Sequence, residues 1–215
     1  MTGRDGGRVT GKPPGRYHHG TLGESLIGAT LVLVRERGPA AFTMKDAATA
    51  AGVSVAAPYR HFPDRDHLLA AAAVPGYAHL LSRLRAVREE DAPARLARLM
   101  ATFVEWALDD PATHDILFAS NIDKSAHPAL VDIGAAAVEL FTEHASAAAR
   151  DQLAAARLMV SAFAIAQGHA RIADDQHALA TGQITHADLA PMTYAAVLAL
   201  AQGLGGRGPR GADDQ

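Results

Sequence analysis

Residues 41–69 constrain the fold of this chain more than any other stretch, because they encode two short helices joined by a tight turn. Thr43 stands three residues before Asp46, and a hydroxyl and a carboxylate at that spacing cap the start of a helix. The turn Gly52-Val53-Ser54 supplies a glycine that can end this helix, an apolar plug, and a hydroxyl that can cap the next one. We predict the second helix over residues 55–61, and hence a helix-turn-helix.

The second of these helices would present small side chains beside polar ones. Ala56 and Ala57 leave room for a close approach, while Tyr59, Arg60 and His61 can donate hydrogen bonds. Such a surface suits the major groove of duplex DNA, which admits an α-helix and is read through hydrogen bonds and contacts with thymine methyl groups. The residues themselves therefore point to DNA.

The run Tyr59-Arg60-His61-Phe62 and the following Asp-Arg-Asp-His-Leu-Leu of residues 64–69 resemble the DNA-binding domain of TetR/AcrR-type repressors. The likeness begins upstream at Tyr17-His18-His19-Gly20-Thr21-Leu22 and continues to about residue 70. Two positions depart from the usual pattern. Pro58 stands where an aliphatic residue is more common, and Arg65 replaces a lysine, keeping the charge but offering a planar fork to a phosphate.

The resemblance implies an all-α chain, with an N-terminal three-helix helix-turn-helix domain followed by a helical ligand-binding and dimerisation domain. It further implies a homodimeric transcriptional regulator, a repressor that a small-molecule ligand releases from a double-stranded DNA operator. Val55 and the two alanines would make room for the DNA and touch thymine methyl groups. The full set of expected DNA-binding residues is Thr43, Lys45, Ser54, Val55, Ala56, Ala57, Tyr59, Arg60, His61 and Arg65.

Composition sets wider limits. A chain of 215 residues can bury a sizeable core in one or two domains, and the absence of cysteine excludes disulfides and thiolate metal sites. No signal peptide or membrane span is apparent, so we expect a cytoplasmic protein with no membrane partner. Residues 1–70 carry 9 basic and 6 acidic side chains, whereas residues 71–215 carry 11 and 17. A cationic end beside an anionic body suits a protein that turns one face to phosphate, although chance composition would give the same counts.

The chain divides into four parts. We predict a flexible basic arm over residues 1–16, a helix-turn-helix domain over 17–66, a helical domain over 67–205 and a flexible tail over 206–215. The arm either contacts DNA or is a solvated tail. We expect a first helix capped by Thr21 and a long helix from Asp64 to about Glu90, bent at Pro75-Gly76. Further helices are predicted at about 92–109, 112–119, 128–148, 151–173 and 187–204.

The last two long helices are the predicted dimer interface, because small residues along them permit close helix packing. Alternatively, the same stripes close the core of the single chain. The residues concerned are Leu158, Ala162, Ala166, Ala170, Leu189, Met192, Ala196, Val197 and Leu200.

The middle helices gather most of the remaining bulky side chains, together with a few polar ones, which is the composition of a small-molecule pocket. Most of these aromatic residues could equally be ordinary core. The candidate ligand-binding residues are Met100, Phe103, Trp106, His114, Phe118, Asn121, Phe141, Phe163, Gln167 and His169.

Enzymatic and metal-dependent functions find little support. No histidine pair has the spacing of a helical metal site, and no serine stands in a Gly-x-Ser-x-Gly setting. We therefore predict no catalytic residues, no metal site and no cofactor. The main alternative to a regulator is a helical ligand-sequestering or adaptor protein whose DNA-binding face is vestigial, and a helical enzyme is a third.

Overall fold

The computed structural model describes residues 22–173, 179 and 182–205. In these ranges the chain forms eight α-helices, two short 3₁₀ helices and no strand, which confirms the all-α prediction. The α-helices are α1 (Leu22–Arg37), α2 (Met44–Ala50), α3 (Arg65–Arg85), α4 (Ala92–Asp109), α5 (Pro111–Phe118), α6 (Pro128–Ala148), α7 (Gln152–Ile172) and α8 (His186–Gly205). The predicted arm, the Thr21 cap and the tail after residue 205 lie outside the described residues.

Helix α2 begins and ends as its sequence predicts. The Thr43 hydroxyl accepts from the Asp46 backbone N–H at 3.3 Å, and the Asp46 carboxylate accepts from the Thr43 backbone N–H at 2.9 Å. The Thr43 backbone N–H and the Thr43 hydroxyl both donate to the Asp46 carboxylate, and these two bonds hold the pKa of Asp46 below its usual value. Gly52 has a φ of 69°, the left-handed conformation that the turn requires.

The segment after this turn differs from the prediction. Instead of a regular helix over residues 55–61, the chain forms turns followed by a 3₁₀ helix, Pro58–Arg60, whose cap Ala57 has no side-chain hydrogen bond. The backbone N–H of Ala57 donates to the Ser54 carbonyl at 2.9 Å. Pro58 has no N–H to extend this turn into an α-helical bond with the same carbonyl, which explains the shorter, tighter element. The predicted capping role of Ser54 for a regular helix is accordingly wrong.

Helix α3 links the N-terminal helices to the rest of the chain. It packs against α1 at one end and against α4, α5 and α6 further along. It ends at Arg85, earlier than the predicted Glu90, and contains Pro75. Next to this proline, the Trp106 Nε1–H of α4 donates to the Gly76 carbonyl at 3.0 Å. Pro75 lacks the N–H that would donate to the Ala71 carbonyl, so the indole bond to Gly76 is a separate contact, which ties α4 to α3.

Helix α4 is the centre of the C-terminal part. It packs against α6, α7 and α8, and nearly all of its apolar side chains are buried. Asp91, Asp110 and Asp151 cap α4, α5 and α7 through their side chains. The later helices therefore begin within a residue or two of their predicted positions. None of the helices in the described ranges is long and apolar enough to cross a membrane.

Candidate nucleic-acid interface and ligand cavity

The segment from Val55 to His61 forms an exposed surface. Val55 and Tyr59 expose 50% and 55% of their area. Ala56, Arg60 and His61 are also exposed, whereas Ala57 is half-buried. Pro58 is buried beneath them. The 3₁₀ turn is thus fixed by Pro58 on its inner side and turns the predicted DNA-binding side chains to solvent.

Three further predicted DNA-binding residues, Thr43, Lys45 and Ser54, are exposed nearby in the sequence. Arg65 differs from these residues, because its guanidinium group is bound to other residues of the same chain. Its Nε donates to the Phe42 carbonyl at 3.1 Å, its guanidinium lies 5.1 Å from the Phe42 ring centroid, and it pairs with Asp66 at 3.3 Å. The structure therefore gives Arg65 a positioning role that sequence reasoning missed.

The predicted charge asymmetry is not located on this surface. Residues 22–70 carry five basic and five acidic side chains, so the whole positive excess of the first 70 residues belongs to residues 1–21. Those residues lie outside the described ranges.

An apolar cavity of about 420 Å³ lies in the C-terminal part, between α3, α4, α6 and α7 and the end of α5. Four of the ten predicted ligand-binding residues line it. These are Phe103, Phe118, Phe141 and Phe163. Two lining residues that sequence reasoning missed are Tyr77, just after Pro75-Gly76, and Lys124, which follows the loop where Asn121 was selected. A cation next to a loop between apolar helices was the signal that could have identified Lys124.

The remaining six predicted ligand-binding residues do not line this cavity. Met100 and Trp106 are fully buried in the core, and Asn121 is exposed. His114 and Gln167 form a hydrogen bond with each other, with Nε2 3.0 Å from Oε1. His169 Nδ1 lies 2.7 Å from the Thr193 hydroxyl of α8, and partial burial lowers the pKa of His169. These polar pairs connect helices to each other.

The predicted dimer residues divide in a similar way. Leu158, Ala162, Ala166, Ala170, Leu189 and Val197 are buried within the single chain, which is the alternative that their sequence left open. Ala196 and Leu200 are half-buried, and Met192 is exposed. The opposite faces of α7 and α8 are exposed and contain small residues, namely Ala164 and Gly168 on α7 and Ala195, Ala199 and Gly203 on α8.

No group of three or more His, Asp or Glu side chains within the described ranges is arranged to hold a metal ion. This finding covers those ranges alone.

Comparisons with known proteins agree on the fold. Residues 26–72 match the family described as bacterial regulatory proteins, tetR family. A solved structure of a protein with unknown function from Rhodococcus sp. RHA1 is 28% identical, with a TM-score of 0.66, and the match covers 89% of this chain and 100% of that one. No curated protein sequence matches this chain.

Two further solved structures have a similar fold at lower identity. A tetR-family transcriptional regulator from Streptomyces coelicolor has 23% identity and a TM-score of 0.63, covering 87% of this chain and 84% of that one. A TetR-family transcriptional regulator from Thermus thermophilus has 16% identity and a TM-score of 0.63, covering 81% and 97%. The arrangement of a helix-turn-helix domain before a larger helical domain is therefore shared over most of each chain.

Proposed function

We propose a function from two findings: residues 26–72 match the tetR family of bacterial regulatory proteins, and 87% of the chain shares the fold of a tetR-family regulator. The protein represses transcription by binding operator DNA and is released from that DNA by a small-molecule ligand. The observation that carries the proposal is the exposed segment Val55–His61 on its capped helix-turn support. Small side chains beside exposed hydrogen-bond donors form a surface that suits the major groove of DNA.

The roles of individual residues follow from their chemistry and placement. Arg60 and His61 are the donors suited to base edges, and Val55 and Ala56 are suited to thymine methyl groups. Thr43, Lys45, Ser54 and Tyr59 are suited to phosphates, which fix the register of a protein on DNA. Ala57 makes room. Arg65 belongs to the set as a residue that positions the phosphate-facing segment.

The DNA-facing surface needs two copies, because a single one reads too few bases to select an operator. Two copies in a dimer must stand one turn of DNA apart, roughly 34–36 Å. We place the dimer contact on the exposed faces of α7 and α8. Gly168 supports this placement, since a Cβ added there would meet nothing within 4 Å in the single chain, and a glycine on an open helix face lets a second helix approach closely.

Ligand release requires a connection between the cavity and the DNA-facing segment. Helix α5 contributes Phe118 to the cavity and packs against α1 and α3. A second connection runs through the 3₁₀ helix Lys124–Ala126 to His127, whose ring stands edge-on to that of His67, with centroids 5.0 Å apart, in the first turn of α3. A ligand that favours the released arrangement by several kcal/mol, on the order of 5.5 for a full reversal, would free the operator.

Fluorescence anisotropy with duplex DNA from upstream of the protein's own reading frame tests the DNA-binding proposal. We expect Arg60→Ala to reduce affinity roughly 5- to 150-fold, since a bidentate contact with a base edge is worth about 1–3 kcal/mol. The matched control is Arg88→Ala, an exposed arginine beyond the far end of α3, about 30 Å along that helix. Unchanged affinity of Arg60→Ala at every salt concentration would reject the assigned surface. Ligand binding without DNA binding by the wild type would favour the ligand-sequestering alternative.

A further inference from the structure

The lining of the cavity is nearly all apolar. Its deep end is formed by buried side chains, among them Leu80, Phe103 and Phe141, and its outer part by exposed ones, among them Val131 and Val138. A volume of about 420 Å³ is nearly three times that of a cavity of about 150 Å³ that holds benzene, so there is room for roughly 17 non-hydrogen atoms. The cavity thus suits an apolar molecule of modest size.

Two side chains in this lining carry polar groups, and both can donate hydrogen bonds. The Lys124 Nζ donates to the Leu117 carbonyl at 2.6 Å and lies 5.1 Å from the centroid of the Phe118 ring. The Tyr77 side chain reaches α6, and a Cβ added to Gly134 would lie 3.1 Å from its hydroxyl oxygen. The absence of a side chain at Gly134 therefore provides the space that the Tyr77 hydroxyl occupies in the lining.

The ammonium group of Lys124 has no negatively charged partner among the described residues of the cavity lining. The lining contains no carboxylate, and within the described ranges no Asp or Glu forms an ion pair with Lys124. Burial lowers the pKa of Lys124 and raises that of Tyr77, because both side chains lose part of their hydration. An anion beside the ammonium group would compensate this loss, whereas a cation would be repelled.

We propose that the cavity binds a monoanionic amphipathic molecule of about a dozen non-hydrogen atoms, its anionic group at Lys124 and its apolar part toward Phe103 and Phe141. Whether such a ligand acts as an effector depends on the proposed function, whereas its binding to the cavity does not. The Tyr77 hydroxyl is the second donor available to the anionic group. A neutral molecule of the same length would fill the same space and leave the ammonium group without a counter-charge.

Isothermal titration calorimetry with decanoate and with decan-1-ol, in the absence of DNA, tests this inference. Decanoate has 12 non-hydrogen atoms by its formula, a number that fits within the cavity. We expect the wild type to bind decanoate at least tenfold more tightly than decan-1-ol. Lys124→Met and Lys124→Gln should each lose at least tenfold in decanoate affinity with little change for the alcohol, and Lys124→Arg should retain most of the affinity.

The matched control is Arg85→Met, which removes an exposed cation at the end of α3 and should leave both affinities unchanged. Absence of binding by octanoate, decanoate and dodecanoate to the wild type would overturn the inference, as would equal affinity for acid and alcohol. Decanoate affinity that survives both neutral substitutions at Lys124 would overturn it as well. If decanoate binds through Lys124 but no DNA is bound, the ligand class stands and the repressor proposal fails.

Discussion

Gly76 is a position at which no side chain fits. A Cβ added there would collide with the side chains of Asp110 and Thr113 at the start of α5, while the Gly76 carbonyl accepts the hydrogen bond of Trp106. Three helices therefore meet at one residue without a side chain. Because Asp110 also caps α5, any displacement of its carboxylate weakens the start of that helix.

We expect Gly76→Ala to lower the free energy of unfolding by about 1–3 kcal/mol, the usual cost of overpacking. The control is Gly28→Ala in α1, where an added Cβ meets nothing within 4 Å and should stabilise the helix by roughly 0.5–1 kcal/mol. Urea denaturation followed by circular dichroism measures both. Opposite signs for the two glycines are the expected result, and a stabilising Gly76→Ala would contradict the collision.

Single residues also show the limit of prediction from sequence. The sequence indicates that Phe103 and Trp106 are buried aromatic residues, but one lines the cavity and the other lies in the core. Both are in α4, three residues apart, and both are fully buried. What separates them is the helices packed opposite each, which depend on contacts between distant parts of the chain. The hydrogen bond between His114 and Gln167 could not be predicted for the same reason, since the two residues lie 53 positions apart in the sequence.

At the scale of elements, short sequence signals predicted the helix ends that depend only on nearby residues. The Thr43–Asp46 capping box, Gly52 and the aspartate caps lie within a few residues of what they control. The ends of α2 and the starts of α4, α5 and α7 could therefore be predicted to within a residue or two. The prediction of a helix over residues 55–61 depends on Pro58, near the fourth helical position, disturbing that helix only modestly. The missing backbone donor at Pro58 had the larger effect.

The loop between α5 and α6 gives a prediction about coupling. We expect His127→Ala to reduce the effect of decanoate on DNA affinity, because it removes the ring that contacts His67 of α3, while the affinity for decanoate alone stays the same. His144→Ala is the matched control, a half-buried histidine further along α6. DNA anisotropy with and without decanoate measures the coupling. Equal coupling in wild type and His127→Ala would show that the signal passes by another route, such as α5.

At the scale of the whole molecule, the proposed dimer contact on α7 and α8 can be tested by substitution. We expect Ala199→Glu on α8 to convert the dimer to monomer, because it places a charge on the open small-residue face where the partner helix would pack. Ala78→Glu, the same change at an exposed alanine of α3, should leave the dimer intact. Sedimentation velocity at micromolar concentration distinguishes the two. A dimeric Ala199→Glu protein, or a monomeric wild type, would contradict the placement of the contact.

Which face of α7 and α8 is available could not be read from the sequence. Both sides of each helix are rich in alanine, so the amphipathic pattern that normally separates inside from outside is weak. The sequence predicts an interface on the stripe that contains the Leu158 and Val197 side chains because small residues along it permit close helix packing. Those side chains do pack, but against α4 and the neighbouring helices of the same chain.

The bare Val55 and Tyr59 side chains have a thermodynamic consequence for the free protein. Their apolar area is in contact with water in the free protein and would be buried against the DNA groove in a complex. Burial of apolar area lowers the heat capacity of the system. Association through this segment would therefore change in enthalpy with temperature. The strength of phosphate contacts depends chiefly on salt concentration and would not add to this dependence of the enthalpy on temperature. Temperature and salt concentration therefore act on two separate contributions to DNA binding.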